Sequence, residues 1–250
     1  VSATEIASRI GAEVLAEGGN AIDAAIATGF ALAVTHPAAG NIGGGGFMVL
    51  RFPDGRTTAF DFREKAPLAA HPEMWLDEEG RYDERRHHFS HMAVGVPGTV
   101  AGFILAHARY GSLPWAELVE PAVRLATDGF VVTPGLASSL RGILPAFQRY
   151  PASVAAYSKD GVAYEVGDTM RLPDLGRTLA RIRDRGHDGF YHGETARLLV
   201  AEMERGGGLI TFEDLRRYQA VEREPVRGTY RGYGVISMPP PSSGGIAVIE

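Results

Sequence analysis

The sequence contains no cysteine. Disulfide bonds, thiolate nucleophiles and cysteine-ligated metal sites are therefore excluded together. The absence of cysteine is compatible with the cytosol and with export alike, so it does not indicate a compartment. Long apolar runs are missing as well, since no run reaches the roughly 18 residues that a membrane-spanning helix needs. We therefore expect no membrane span.

Clustered positive charge is also missing, and the formal net charge is -5. The arginines within residues 177–185 fall on more than one helical face, which is typical of a solvated helix surface. Because nucleic-acid binding requires a basic patch, we expect no nucleic-acid partner. The composition is 45% hydrophobic and 22% charged, as in an ordinary globular protein. The length allows one large domain or two small ones, and our prediction is a single domain over residues 1–250.

The first 35 residues predict a helical hairpin. Ser2 and Glu5 form a capping-box pattern, and Gly18-Gly19 ends the first helix. Asn20 is placed to cap a second helix, which runs to about Val34. Alanine and isoleucine occupy nearly every face of this second helix, so we expect it to be buried all round.

A glycine-rich loop at residues 40–46 leads into a predicted β-hairpin at residues 48–62. The turn signal Pro53-Asp54-Gly55 joins the two strands, and the hairpin ends just before Arg63. A nucleotide-binding protein that uses this loop is one alternative, and it predicts phosphate affinity. However, no Gly-Lys-Ser/Thr follows and the loop precedes a strand, so close backbone packing is favoured over phosphate binding.

The remainder predicts helices with interspersed strands, which indicates an α/β or α+β layered fold. We expect a loop over residues 66–86 with Trp75 as its anchor. Ser242 and Ser243 are expected to cap a helix beginning at Gly244, and the sequence ends at Glu250, inside that element. We therefore interpret the sequence as a fragment. A helix is further predicted after Thr99, running to about Tyr110, and others at residues 114–126, 173–185, 194–205 and just after Thr211, with strands within 226–238.

Three histidines, His87, His88 and His91, raise the possibility of a metal site. Two of them are adjacent and cannot share a helical face, and no carboxylate motif completes a ligand set. We therefore expect them in a solvated loop, with no metal and no cofactor. Ser90 next to His91 could suggest a nucleophile and its base, but the Gly-x-Ser-x-Gly context is absent.

Six segments in one order resemble the γ-glutamyltransferase (γ-glutamyl transpeptidase) family. A single such motif would be a weak signal, but six together identify the sequence as similar to this family over nearly its whole length. The segments are EGGNAIDAA at 17–25, residues 35–48 with the run GGGGFM, DFREKAP at 61–67, GVPGTVAG at 95–102, GGLIT at 207–211, and residues 230–245 with the run MPPPSSGG.

The resemblance implies the N-terminal-nucleophile hydrolase fold, an αββα sandwich, of which this chain would supply a helix-rich portion of the large subunit. In this family a precursor cleaves itself into a large and a small subunit, which form a heterodimer. The small subunit begins with a threonine whose hydroxyl attacks the substrate and whose α-amine, of pKa about 8, is the base. The resemblance therefore implies no catalytic residue in this chain.

Arg63 is the one substrate-binding residue that the resemblance assigns here, as the ligand of the donor's α-carboxylate. A guanidinium presents two parallel donors to a carboxylate, so the residue type suits this role. The residues alone leave an alternative open, in which Arg63 pairs with Asp61 or Glu64 at the surface.

The implied function is transfer or hydrolysis of the γ-glutamyl group of glutathione and related γ-glutamyl amides, through a γ-glutamyl-threonine intermediate. One alternative is a relative that acts on poly-γ-glutamate or on cephalosporin or glutaryl side chains, and another is a non-catalytic scaffold or binding protein. Because bacterial members are usually exported, the resemblance also implies a periplasmic or secreted protein.

Overall fold

The computed structural model describes residues 1–249, in which helices alternate with short strands. The helices are α1 (Glu5–Ala16), α2 (Ala21–Thr35), α3 (Glu84–Phe89), α4 (Thr99–Tyr110), α5 (Trp115–Asp128), α6 (Pro134–Phe147), α7 (Pro151–Tyr157), α8 (Pro173–Arg185), α9 (Asp188–Tyr191), α10 (Gly193–Gly206), α11 (Phe212–Arg217) and α12 (Gly244–Ile249). The strands are β1 (Phe47–Arg51), β2 (Thr57–Asp61), β3 (Phe130–Val131), β4 (Thr169–Met170), β5 (Val221–Arg223), β6 (Val226–Tyr230) and β7 (Tyr233–Ser237). A short 3-10 helix covers His91–Ala93.

Contacts between Cα atoms group the chain into two compact units. The first comprises Val1–Asn41 and Tyr110–Gly189, and the second comprises Ile42–Arg109 and Phe190–Glu250. The prediction of a single domain over residues 1–250 stays a prediction. None of the helices within residues 1–249 is both long and apolar enough to cross a membrane.

Helix α2 lies at the centre of the first unit and is buried on nearly every face, as predicted. Asn20 and Asp23 form a capping box at its first turn, because each side chain accepts the backbone N–H of the other residue. The Phe30 ring meets the Trp115 ring of α5 edge to face, with centroids 5.6 Å apart. The small alanine side chains of α2 let neighbouring helices approach closely.

The cap of α1 differs from the prediction, because Thr4 and not Ser2 is the N-cap. The Thr4 hydroxyl accepts the N–H of Ala7 at 3.3 Å. The Ser2 hydroxyl instead donates to the Thr4 carbonyl and lies 2.9 Å from the Ser8 hydroxyl. The predicted capping box of Ser2 with Glu5 is therefore wrong, since the helix begins at Glu5 itself.

The second unit contains a three-stranded antiparallel sheet in the order β1-β2-β5. The predicted hairpin is confirmed as β1 and β2, and Gly55 takes the left-handed conformation at its turn, with φ of 86°. Asp61 is the last residue of β2 and pairs with Phe47 on one side and Val221 on the other. The sheet thus fixes the backbone two residues before Arg63.

Candidate carboxylate-binding site at Arg63

Arg63 lies two residues beyond β2, and its backbone is held from both sides. Its N–H donates to Oδ1 of Asp61 at 3.1 Å. Its carbonyl accepts the Tyr218 hydroxyl at 2.8 Å. Asp61 and Tyr218 come from a strand and from the end of a helix, so two separate elements determine the path of the chain at Arg63.

The guanidinium of Arg63 is solvent-exposed. Its Nη1 lies 3.5 Å from the carbonyl oxygen of Pro241, at the long limit of a hydrogen bond. Within the described part of the chain, neither Asp61 nor Glu64 forms an ion pair with it, and Asp61 instead binds Nε of Arg223 at 2.8 Å. The interpretation of Arg63 as half of a surface ion pair is therefore wrong for these two partners.

The glycine loop packs against the backbone next to Arg63. A Cβ on Gly45 would lie 2.4 Å from the Phe62 carbonyl oxygen and 2.9 Å from Arg63 Cα. A Cβ on Gly98 would lie only 2.0 Å from the same carbonyl, and the Gly98 N–H donates to the Gly44 carbonyl at 2.7 Å. The predicted close backbone approach is confirmed at Gly45, because no side chain fits between these segments.

His87 and His88 both contact the Tyr82 hydroxyl, at 2.6 Å and 3.2 Å, whereas Ser90 and His91 have other partners. His91 Nε2 lies 2.8 Å from Oε1 of Glu202, while the Ser90 hydroxyl donates to the Arg86 carbonyl at 2.6 Å. The serine and the histidine therefore have different partners, which argues against a nucleophile and base pair. His87 and His88 lie in α3, so their placement in a loop was wrong. Asp83 caps this helix, although a loop was predicted over residues 66–86.

Sequence reasoning did not identify Tyr218 as part of the site. The two residues joined by the Tyr218–Arg63 hydrogen bond are 155 positions apart, so no local pattern relates them. Burial raises the pKa of the Tyr218 hydroxyl, and the nearby charges of Asp61 and Glu64 raise it further. The hydroxyl therefore stays protonated across the ordinary pH range and remains a donor to the Arg63 carbonyl.

Chemically, the site presents one exposed guanidinium on a backbone that is held from both sides. A planar guanidinium binds a carboxylate through two parallel hydrogen bonds, and such charge-assisted bonds are stronger than neutral ones. The arrangement is therefore chemically suited to a small anion.

Comparison with known proteins identifies the family of the chain. The family model described as gamma-glutamyltranspeptidase matches residues 7–250. The Glutathione hydrolase proenzyme of Escherichia coli (strain K12) is 50% identical over 248 residues, which is 98% of this chain and 42% of that protein. The Acylase ACY 1 proenzyme of Pseudomonas sp. (strain SE83) is 40% identical over 251 residues, covering 98% of this chain and 45% of that protein. The chain thus spans less than half the length of these curated relatives.

The fold is also similar to that of a relative whose structure has been solved. The crystal structure of Helicobacter pylori gamma-glutamyltranspeptidase superposes with a TM-score of 0.97 at 46% identity, covering 99% of this chain and 71% of that one. This likeness confirms the predicted fold class, the helix-rich portion of an N-terminal-nucleophile hydrolase. With the family model matched over almost its whole length, the chain belongs to the gamma-glutamyltranspeptidase family.

Proposed function

We propose that the whole protein transfers or hydrolyses the γ-glutamyl group of glutathione and related γ-glutamyl amides, and that Arg63 binds the donor's α-carboxylate. The observation that carries the proposal is the exposed guanidinium, which has no carboxylate partner within residues 1–249 and whose backbone is held on both sides. Because the backbone of Arg63 is already held, binding an anionic ligand requires only the side chain to be ordered.

The covalent chemistry belongs to the small subunit, which we propose as the partner of this chain in a heterodimer cut from one precursor. The Escherichia coli relative is named as a proenzyme, which supports a heterodimer cut from one precursor. The threonine hydroxyl attacks the γ-carbonyl carbon and its proton passes to the threonine α-amine. The amine then protonates the leaving nitrogen as the C–N bond breaks, which leaves a γ-glutamyl ester on the threonine. Water, or the amino group of an amino acid or peptide, then takes the γ-glutamyl group and frees the threonine hydroxyl.

The glutathione assignment is supported over the acylase alternative by the higher identity to the glutathione hydrolase, 50% against 40%. We also propose a periplasmic or secreted location, because bacterial members of the family are usually exported. Fractionation of the source cells tests it, and activity confined to the cytosol would contradict it.

The test of Arg63 uses the complete gene product and follows nitroaniline release from γ-glutamyl-p-nitroanilide. Arg63→Ala removes both donors to the carboxylate, so we expect KM to rise by about 10- to 100-fold. The same variant is expected to leave turnover of 4-aminobutyryl-p-nitroanilide, which lacks the α-carboxylate, close to that of the wild type. Arg51→Ala is the matched control, because Arg51 is an exposed arginine at the end of β1.

Each possible failure has its own meaning. No turnover by a properly cleaved wild-type protein would contradict the γ-glutamyl donor and favour the acylase relatives. No cleavage at all would favour the non-catalytic scaffold. An equal loss on both substrates in Arg63→Ala would contradict the carboxylate role while leaving the reaction in place.

A further inference from the structure

The buried residue Tyr218 is bonded directly to the backbone of Arg63. It follows α11 and precedes β5, and its side chain is only 3% exposed. Its hydroxyl donates to the Arg63 carbonyl at 2.8 Å, which fixes the peptide that follows the arginine. A buried hydroxyl with a single backbone acceptor is a specific contact, because losing it would leave that carbonyl without its donor.

Neighbouring groups hold the ring of Tyr218 in place. It stacks on the ring of Tyr191 with centroids 5.8 Å apart and planes inclined by 6°. Nζ of Lys65 lies 5.0 Å from the centroid of the Tyr218 ring and donates to the Gln219 carbonyl at 2.9 Å. The hydroxyl therefore has little freedom to leave the Arg63 carbonyl.

The space around the hydroxyl is equally restricted. A Cβ on Gly98 would lie 2.1 Å from the Tyr218 oxygen, so the glycine is needed to let the hydroxyl reach its acceptor. The peptide that precedes Arg63 is fixed independently, because Asp61 accepts the Arg63 N–H while its other oxygen binds Arg223. Both peptides that flank the Arg63 Cα are thus constrained by side chains, one from Asp61 two residues away and one from Tyr218, 155 positions away.

We propose that Tyr218 is a positioning residue for γ-glutamyl recognition, acting through Arg63 with Asp61 as its counterpart on the other side. This inference rests on the proposed function. The bidentate geometry of a guanidinium on a carboxylate tolerates little displacement, and the arginine backbone sets where the guanidinium starts. Fixing that backbone before the substrate arrives lowers the ordering cost of binding.

Tyr218→Phe in the complete protein tests the proposal, because it keeps the stacked ring and removes only the donor. We expect KM for γ-glutamyl-p-nitroanilide to rise by about three- to ten-fold, with kcat changed by no more than about two-fold. In an Arg63→Ala background the same substitution is expected to produce no further rise in KM. Such non-additivity is the sign of a residue that acts through Arg63.

The matched control is Tyr164→Phe. Tyr164 is also buried, belongs to the first compact unit, and has Nζ of Lys159 5.8 Å from its ring centroid. We expect this variant to leave KM near the wild-type value. An equal rise in KM in both tyrosine variants, or a further rise in KM in the Arg63→Ala background, would overturn the positioning role.

Asp61→Asn provides a second test should Tyr218→Phe fail to fold. It disturbs the other flanking peptide, so we expect a KM increase that is likewise lost in the Arg63→Ala background. A wild-type KM in this variant would overturn the proposal. If the wild type turns over and Arg63→Ala raises KM but Tyr218→Phe does not, only the positioning role fails. No turnover by the wild type would instead overturn the proposed function and the positioning role together.

Discussion

At the residue scale, Asp23 is the clearest case of a charge that stabilises the fold rather than a ligand site. Its side chain is fully buried, and its carboxylate accepts the N–H of Asn20 at 2.9 Å and the N–H of Ser112 at 3.0 Å, besides the Ser112 hydroxyl. Burial raises the pKa of Asp23, but the hydrogen bonds from Ser112 and Asn20 outweigh it and hold the pKa below its ordinary value.

Asp23→Asn replaces one acceptor oxygen with an amide that faces N–H donors. We expect the free energy of unfolding of the complete protein to fall by about 2–4 kcal/mol, measured by urea denaturation. Asp174→Asn is the control, since Asp174 is exposed at the start of α8, and we expect a change within about 0.5 kcal/mol. Equal stability of the two variants would contradict the structural role of Asp23.

The roles of some single residues could be predicted from the sequence, and the roles of others could not. Arg63 was identified because its flanking residues resemble a known family motif, and Asn20 was identified because capping is a local pattern of three or four positions. Tyr218 could not be identified, since its role depends on a contact with Arg63 that only the folded chain creates. The ion-pair partner of Asp61 could not be predicted either, because Arg223 lies in another strand.

At the element scale, α4 depends on glycine where it meets the end of β2. A Cβ on Gly102 would lie 2.1 Å from Cγ of Phe62, whose ring is buried and packs edge to face on Phe103. Gly142, in α6, has no atom within 4 Å of such a Cβ. Both glycines therefore lie inside a helix, but only Gly102 has neighbouring atoms where a Cβ would be placed.

Alanine at the two positions is expected to have opposite effects. Gly142→Ala improves helix propensity in open space and should stabilise the protein by about 0.5–1 kcal/mol. Gly102→Ala gains the same propensity but displaces the Phe62 ring, so we expect a net loss of about 1–3 kcal/mol. Thermal unfolding of both variants measures the difference, and a rise in melting temperature for Gly102→Ala would show that Phe62 repacks freely.

Helices with buried stripes were predicted well, whereas α6 and α7 were not anticipated. In α6 the residues Gly135, Gly142 and Pro145 indicate breaks, and only Ala137 and Leu140 are buried. The start was nevertheless signalled, because Thr133 caps the helix and Pro134 occupies its first turn. A helix that contains glycine and proline in its interior depends on its tertiary contacts more than on its own helix propensity.

At the scale of the whole molecule, buried or paired carboxylates in both compact units are expected to make stability depend on acid pH. The pKa of Asp214 is raised by burial, but hydrogen bonds from Thr211 and from the Leu68 N–H outweigh burial and hold it below 3.8. Arg205 first, and then His91, lower the pKa of Glu202 from 4.5 to about 2. Asp23 contributes in the first unit, and Asp214 and Glu202 contribute in the second.

A carboxyl whose pKa is lower in the folded state stabilises that state only while it is ionised. Its contribution is therefore complete above the unfolded pKa and is lost as the pH falls through the folded value. For Asp23 and Asp214 the loss begins near 3.8 and continues below it, and for Glu202 it begins near 4.5 and continues toward about 2. We expect the melting temperature of the complete protein to be insensitive to these groups from pH 7 to about pH 5, and to decline below about pH 4.5.

The decline can be assigned to particular groups by comparing melting temperatures at several pH values between about 5 and 3 at constant ionic strength. Asp214→Asn removes one of the titrating groups, so the variant should start from a lower melting temperature and lose less of it on acidification. Asp174→Asn keeps all three groups and should follow the wild-type slope. Because the difference between these slopes depends only on protonation of Asp214, an Asp214→Asn variant with the full wild-type acid sensitivity would show that this carboxyl gains nothing from Thr211 and Leu68.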